Sequence, residues 1–294
     1  VSEPKYFLDG RSKKMKKGIN QWAFPPSLSL REVFQLAQRY GFHGVELCPD
    51  EEGPASLSLP LSGWREIAAI AEEVGVGIRS LACGLFWKYN LVSGEEKVRL
   101  KAREIVKRLI EIAQVVRAKS VLVIPGYVNV PWDPQSEIVS YDFAMERARE
   151  ALSELAPLAQ GTQVFLGVEN VWNKFLLSPL EFRDFIDSIG NPFVKAHFDT
   201  GNVLISGYPE QWIHILKERI VTVHVKDFKI SVGNINGFCL PLEGDVDWPQ
   251  VMSALKSIGY GDYLIAEFIP PYRHSFEALL ANLSSNLDCI MEMG

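Results

Sequence analysis

An eight-stranded β/α barrel, a (β/α)8 TIM barrel of the α/β class, is the fold the sequence predicts, and three observations predict it. Short β-branched runs alternate with amphipathic stretches eight times. Most of the runs are apolar throughout, as strands buried on both faces of a parallel sheet must be. No shift of composition marks a linker, so the eight units read as one body, with a doubly wound open sheet as the structural alternative.

The elements follow in order. Residues 1–14 (VSEPKYFLDGRSKK) are polar and without a period. They are set apart as a leader, either an expression remnant or a long native arm, ahead of a single barrel domain over 15–294. Strands are expected at Gly18–Trp22, Gly44–Leu47, Val76–Ala82, Ser120–Ile124, Val164–Glu169, Val194–Asp199, Ile220–Val225 and Tyr263–Phe268. Helices are expected near 29–40, 62–74, 95–116, 138–159, 178–189, 209–217, 248–258 and 274–290. Ser29, Ser178 followed by Pro179, and Asp247 are start signals, because a short oxygen-bearing side chain satisfies the free N–H groups of a first turn. Gly41, Gly75, Gly190 and Gly259 fall just past helical runs, where a left-handed residue closes the last turn.

Composition narrows the class of function. The chain has 294 residues, 47% of them hydrophobic, and a formal net charge of −6. A mildly acidic balance argues against a nucleic-acid or membrane-surface partner, either of which calls for a basic face. No apolar run approaches the ~18 residues of a spanning helix. Cys48, Cys83, Cys239 and Cys289 are scattered without CxxC spacing, which fits reduced thiols in a cytoplasmic protein better than a disulfide framework or a zinc site.

Barrels place their chemistry at the C-terminal ends of the strands. There the sequence sets Glu169 (LGVEN), Asp199 (AHFDTGN), His224 (VTVHVKD) and Glu267 (LIAEF), one on each of four consecutive strands. Taken singly, each has an ordinary explanation: a strand-end carboxylate caps a turn or pairs at the surface, and a lone histidine is a satisfied core residue. Together they are hard to attribute to capping, because buried carboxylates need a cation to offset desolvation. Three carboxylates and one imidazole suit Mn²⁺, Mg²⁺ or Co²⁺ better than Zn²⁺ in a thiolate-type site.

These residues resemble the sugar isomerases and epimerases built on the xylose-isomerase-like barrel. The likeness runs from about Gly18 to the C-terminus. It is carried by VENVWN at 168–173, FDTGNVLISG at 198–207, VHVKDFK at 223–229, LEGDVDW at 242–248 and GDYLIAEF at 261–268. In order and spacing they are similar to L-ribulose-5-phosphate 3-epimerases and hexulose-6-phosphate isomerases, and the ligand pattern is shared with D-tagatose and D-psicose 3-epimerases. The resemblance implies that Glu169, Asp199, His224 and Glu267 bind a divalent metal and that Glu169 and Glu267 also act as the acid/base pair. It also implies a homo-oligomer, a dimer or tetramer. The chemistry agrees: epimerising C3 of a ketose removes a proton beside the carbonyl and returns it on the other face, through an enediolate that positive charge stabilises.

A second group of residues is expected to contact the sugar. Lys226 and Asp227 follow His224 at the same rim; Asn202 stands where some free-ketose epimerases place a histidine; Glu46 ends the second strand and either reaches the substrate or orients its neighbours. Trp22, Phe24, Phe86, Trp87 and Trp172 are candidates to wall the pocket. Cys83 is a candidate substrate contact without a base to make it a nucleophile. The loop CGLFWKYNLVSGEEKVR at 83–99 lacks the histidine–arginine richness of the phosphate-acting relatives, and Gly233–Gly237 (GNING) reads as a loop over the mouth rather than a phosphate cradle. The reading therefore inclines to a free ketose, with a phosphorylated ketose or an inosose-type dehydration as alternatives. A repair endonuclease on the same barrel would call for a basic groove and more than the five histidines present. A non-enzymatic sugar sensor would not need both glutamates.

Overall fold

The computed structural model describes residues 14–268, 272 and 274–293, so all of the 1–14 leader but its last residue lies outside the described residues. Eight parallel strands form the barrel wall: β1 (Lys16–Asn20), β2 (Gly44–Leu47), β3 (Gly77–Leu81), β4 (Ser120–Val123), β5 (Phe165–Glu169), β6 (Val194–Asp199), β7 (Ile220–Val225) and β10 (Tyr263–Ala266). They close in the order β1-β10-β7-β6-β5-β4-β3-β2. Between β7 and β10 the chain makes a small antiparallel pair, β8 (Asp227–Phe228) with β9 (Phe238–Cys239). The helices α1 (Leu30–Arg39), α2 (Leu61–Val74), α3 (Glu96–Val116), α4 (Tyr141–Thr162), α5 (Pro179–Ser188), α6 (Pro209–Leu216), α7 (Trp248–Ser257) and α8 (Phe276–Glu292) pack around the barrel. None of the described helices is long and apolar enough to cross a membrane.

The expected start signals act as caps. The Ser29 side chain accepts from the Glu32 N–H while Glu32 bonds back to Ser29 in a capping box, Ser178 accepts from Glu181 and Asp247 from Gln250. Gly75 closes α2 in the left-handed region. Helices α3 and α4 instead end on Arg117 and Gln163, both at φ 59°. Helix α4 runs to Thr162, past the expected 159. Trp22 is not in β1: the Asn20 side chain caps a short 3-10 turn, Gln21–Ala23, and carries Trp22 out of the sheet.

The two ends of the barrel are built differently. At the N-terminal end, Asp262, just before β10, accepts from Arg79 Nε at 2.7 Å and from Lys119 Nζ at 2.6 Å. At the C-terminal end the polar side chains point at one another. The strand registers place Glu169 beside His197, Asp199 beside His224, and Glu46 between Asn20 and Ser80.

Candidate metal centre and catalytic site

One ligand atom each from Glu169, Asp199, His224 and Glu267 lies within 4.8 Å of all the others, and all four residues are buried. His224 Nδ1 is 3.1 Å from Glu267 Oε2, 3.8 Å from Glu169 Oε1 and 4.0 Å from Asp199 Oδ2. Each comes from its own strand. Glu169 ends β5, Asp199 ends β6 and His224 is the fifth residue of β7. Glu267 follows β10, its N–H reaching the Val225 carbonyl at 3.3 Å.

The surroundings hold this geometry. Asn170 grips the backbone of Asp199 from both sides, accepting from its N–H and donating to its carbonyl, each at 2.9 Å. Asp199 Oδ1 accepts from the Asn202 N–H at 2.8 Å, so that oxygen does cap the following turn, while Oδ2 faces the other ligands. Asp199 Oδ2, Glu267 Oε2 and His224 Nδ1 are buried and make no well-formed hydrogen bond, meeting one another and the Lys226 ammonium as charged neighbours. Buried polar atoms are rarely left so. Three of them converging on one point, beside the carboxylate of Glu169, fit a hard divalent cation.

Lys226 is the positive charge at the rim. Its Nζ lies 2.7 Å from Glu267 Oε2 and 3.1 Å from Asp199 Oδ2, over the Phe238 ring. This separates the two glutamates. Burial raises the Glu169 carboxyl to about 7, with Glu267 adding to the rise and His224 and Lys226 opposing it. Glu267 is held well below the usual carboxylate range: burial works against its charge, but Lys226 and His224 outweigh it. The two carboxyls of one site thus have their proton affinities pushed apart.

Above the cluster opens a cavity of about 600 Å³ whose lining includes Trp22, Cys83, Trp87, Trp132, Glu169, Lys226, Phe238 and Glu267. Trp87 meets Trp132 edge-on at 5.0 Å. Burial pushes the Cys83 thiol up to about 12, so it lines the wall as a neutral group. Ile235 and Asn236, from the loop at 233–237, also line this cavity. Asn202 and Trp172 line a neighbouring pocket of about 350 Å³.

Several expected sugar contacts take other roles. Asp227 is fully buried and accepts from the N–H groups of Phe228, Leu242 and Val246 and from Trp248 Nε1. It ties the loop at 242–248 to β8 and has no oxygen left for a substrate. Glu46 is likewise sealed, accepting from Asn20, Ser80 and His224. The Asn202 amide donates to the Asn170 carbonyl, and Trp172 Nε1 donates to the Asn202 carbonyl. Phe24 and Phe86 are buried in the core and do not wall the cavity.

Sequence reasoning missed His197, Asn20, Ser80, Asn170 and Trp132. Strand alternation could have found the first three. His197 lies two before Asp199, and Asn20 and Ser80 pair in register with Glu46, so all share the inward face. Trp132 sits in a loop without a period.

Comparison with known proteins agrees with this fold. Residues 34–283 match the family model described as "Xylose isomerase-like TIM barrel". The chain belongs to that family. Within it, L-ribulose-5-phosphate 3-epimerase UlaE of Escherichia coli is 30% identical over 260 residues, covering 86% of this chain and 87% of the enzyme. The protein of the same name from Shigella flexneri is 29% identical over the same shares. Among solved structures, a D-psicose 3-epimerase superposes with a TM-score of 0.78 at 16% identity, covering 95% of this chain and all of the other. An L-ribulose 3-epimerase superposes at 0.76 and 20% identity, covering 95% of each. These structural likenesses speak for the fold.

Proposed function

We propose that this chain is a divalent-metal-dependent ketose 3-epimerase, with Glu169 and Glu267 as the proton-transfer pair. The observation that carries the reading is the four-residue cluster, whose buried carboxylate and imidazole atoms converge below a cavity large enough for a sugar. Its sequence relatives are named as sugar-phosphate epimerases, which supports an enzyme acting on carbohydrates.

Glu169, Asp199, His224 and Glu267 would hold the ion. When bound, it supplies positive charge against which negative charge on the ketose oxygens is stabilised as C3 loses its proton. The remaining chemistry belongs to the chain. One glutamate carboxylate takes the C3 proton, and the electron pair of the broken C–H bond passes into the carbonyl. The other glutamate, as a carboxylic acid, delivers a proton to the opposite face of C3. Afterwards the two have exchanged protonation states, and solvent resets them. The exchange needs one proton shared between the two carboxyls. The two come from β5 and β10, separated around the wall by β6 and β7, which lets them approach a substrate from different sides. Trp22, Trp87, Trp132 and Phe238 would exclude water.

The preferred substrate is a free ketose. Lys226, the cation among the cavity's described lining residues, is already engaged by two carboxylates, whereas a phosphate needs an uncommitted cation cluster or a helix N-terminus. A phosphorylated ketose is the second reading, favoured by the names of the sequence relatives. The reading includes Mn²⁺ as the working ion, a cytoplasmic location, a dimeric or tetrameric assembly and a small sugar as the only ligand besides the ion. Product analysis with D-psicose, L-ribulose and L-ribulose 5-phosphate, after chelation and again after Mn²⁺ is restored, tests it. Ion-dependent formation of the C3 epimer supports it. A dehydrated product, or turnover unaffected by chelation, contradicts it.

A further inference from the structure

The cavity accounts for the rim residues but leaves a buried polar layer beneath them unexplained. Asn20, Glu46 and Ser80 stand side by side in the registers of β1, β2 and β3, all with no measurable exposure. Asn20 Nδ2 donates to Glu46 Oε1 at 2.7 Å, and Ser80 Oγ donates to Glu46 Oε2 at 2.6 Å. Oε1 reaches across the barrel interior to His224 Nε2 at 2.6 Å. The His197 ring packs edge-on against His224, with centroids 4.1 Å apart, and its Nε2 is 3.8 Å from Glu46 Oε2.

We infer that Glu46 is the positioning residue of the cation site: it fixes the orientation and tautomer of His224 so that Nδ1 presents its lone pair to the ion. This rests on the reading that the carboxylate cluster holds a divalent cation. An imidazole bonded to a carboxylate through Nε2–H has its lone pair on Nδ1, the nitrogen that faces Glu169, Asp199 and Glu267. A ring flip would aim carbon at Glu46 and leave that buried carboxylate short of a donor, which is costly. Asn20 and Ser80 hold Glu46 from both sides, and His197 fills the space beside the His224 ring. Glu46 touches neither the cavity nor the reacting atoms, so its effect passes entirely through His224.

The test compares Mn²⁺ affinity, by electron paramagnetic resonance titration, in wild type, Glu46→Gln and Glu46→Ala. Nitrogen-edited NMR of the histidine rings in the Mg²⁺-loaded proteins is the second readout. Removing the carboxylate should weaken Mn²⁺ binding by about 10–100-fold. The far-downfield Nε2–H resonance of His224 should also vanish in Glu46→Ala. Glu46→Gln keeps an oxygen that can accept from His224, and should retain the Nε2–H tautomer with a smaller loss of affinity. A purely structural role would lower melting temperature in both variants without separating them in tautomer. Wild-type affinity and tautomer in folded Glu46→Ala would overturn the inference alone. Failure of the wild type itself to bind Mn²⁺ or Mg²⁺ would overturn both this inference and the functional reading beneath it.

Discussion

Single residues in this molecule are legible when their chemistry is at odds with their depth. Glu169, Asp199, His224 and Glu267 stood out in the sequence because each interrupts an apolar run, and the structure brings all four together. Asp227 and Glu46 interrupt runs in the same way but face protein donors, a difference that sequence cannot express because the donors come from distant segments. Asp227 accepts four hydrogen bonds, and a methyl group on Gly244 would sit 2.2 Å from its Oδ1. Asp227→Ala should therefore cost ~3 kcal/mol or more by orphaning buried donors, read as a lower urea midpoint. An unchanged midpoint would mean that these donors find other partners. Lys226→Met should slow epimerisation by at least about tenfold by withdrawing the charge that keeps Glu267 ionised, while the fold survives. Full activity in that variant would remove Lys226 from the acid/base arrangement.

At the scale of elements, all eight barrel strands and their eight helices were readable, because apolar runs and capping residues are local signals. Boundaries slipped where the local signal was absent. Helix α4 ends on Gln163, a left-handed residue that is not glycine, and Gly161 lies inside its last turn, where glycine usually announces an end. The β8–β9 pair, two residues in each strand, is too short to show a period. A methyl group at Gly161 would meet nothing within 4 Å. Gly161→Ala should stabilise the protein by about 0.5–1 kcal/mol by restricting the unfolded chain, seen as a raised melting temperature with unchanged Mn²⁺ affinity. Ser29→Ala should do the reverse, costing about 1 kcal/mol through the lost cap of α1.

Across the whole molecule the barrel divides its labour between ends, holding together at one and gathering buried carboxylates and imidazoles at the other. At the N-terminal end burial works against the Asp262 carboxylate, but Arg79 and Lys119 outweigh it and hold its proton affinity below the ordinary aspartate range. A depressed carboxylate stabilises the fold above its unfolded value, and the contribution is lost as pH falls through the lower folded value. Asp262→Asn should thus be less stable than wild type at neutral pH, and the two stability curves should converge in acid. A constant gap at all pH values would assign the loss to packing instead.

The central claim is that Glu169 and Glu267 exchange the proton at C3. In heavy water, with Mn²⁺ and a ketose that the wild type epimerises, deuterium should enter C3. Glu169→Gln and Glu267→Gln should each cut that incorporation by ~100-fold or more while the circular dichroism spectrum stays the same. Deuterium entering at the wild-type rate in either folded variant would contradict the claim.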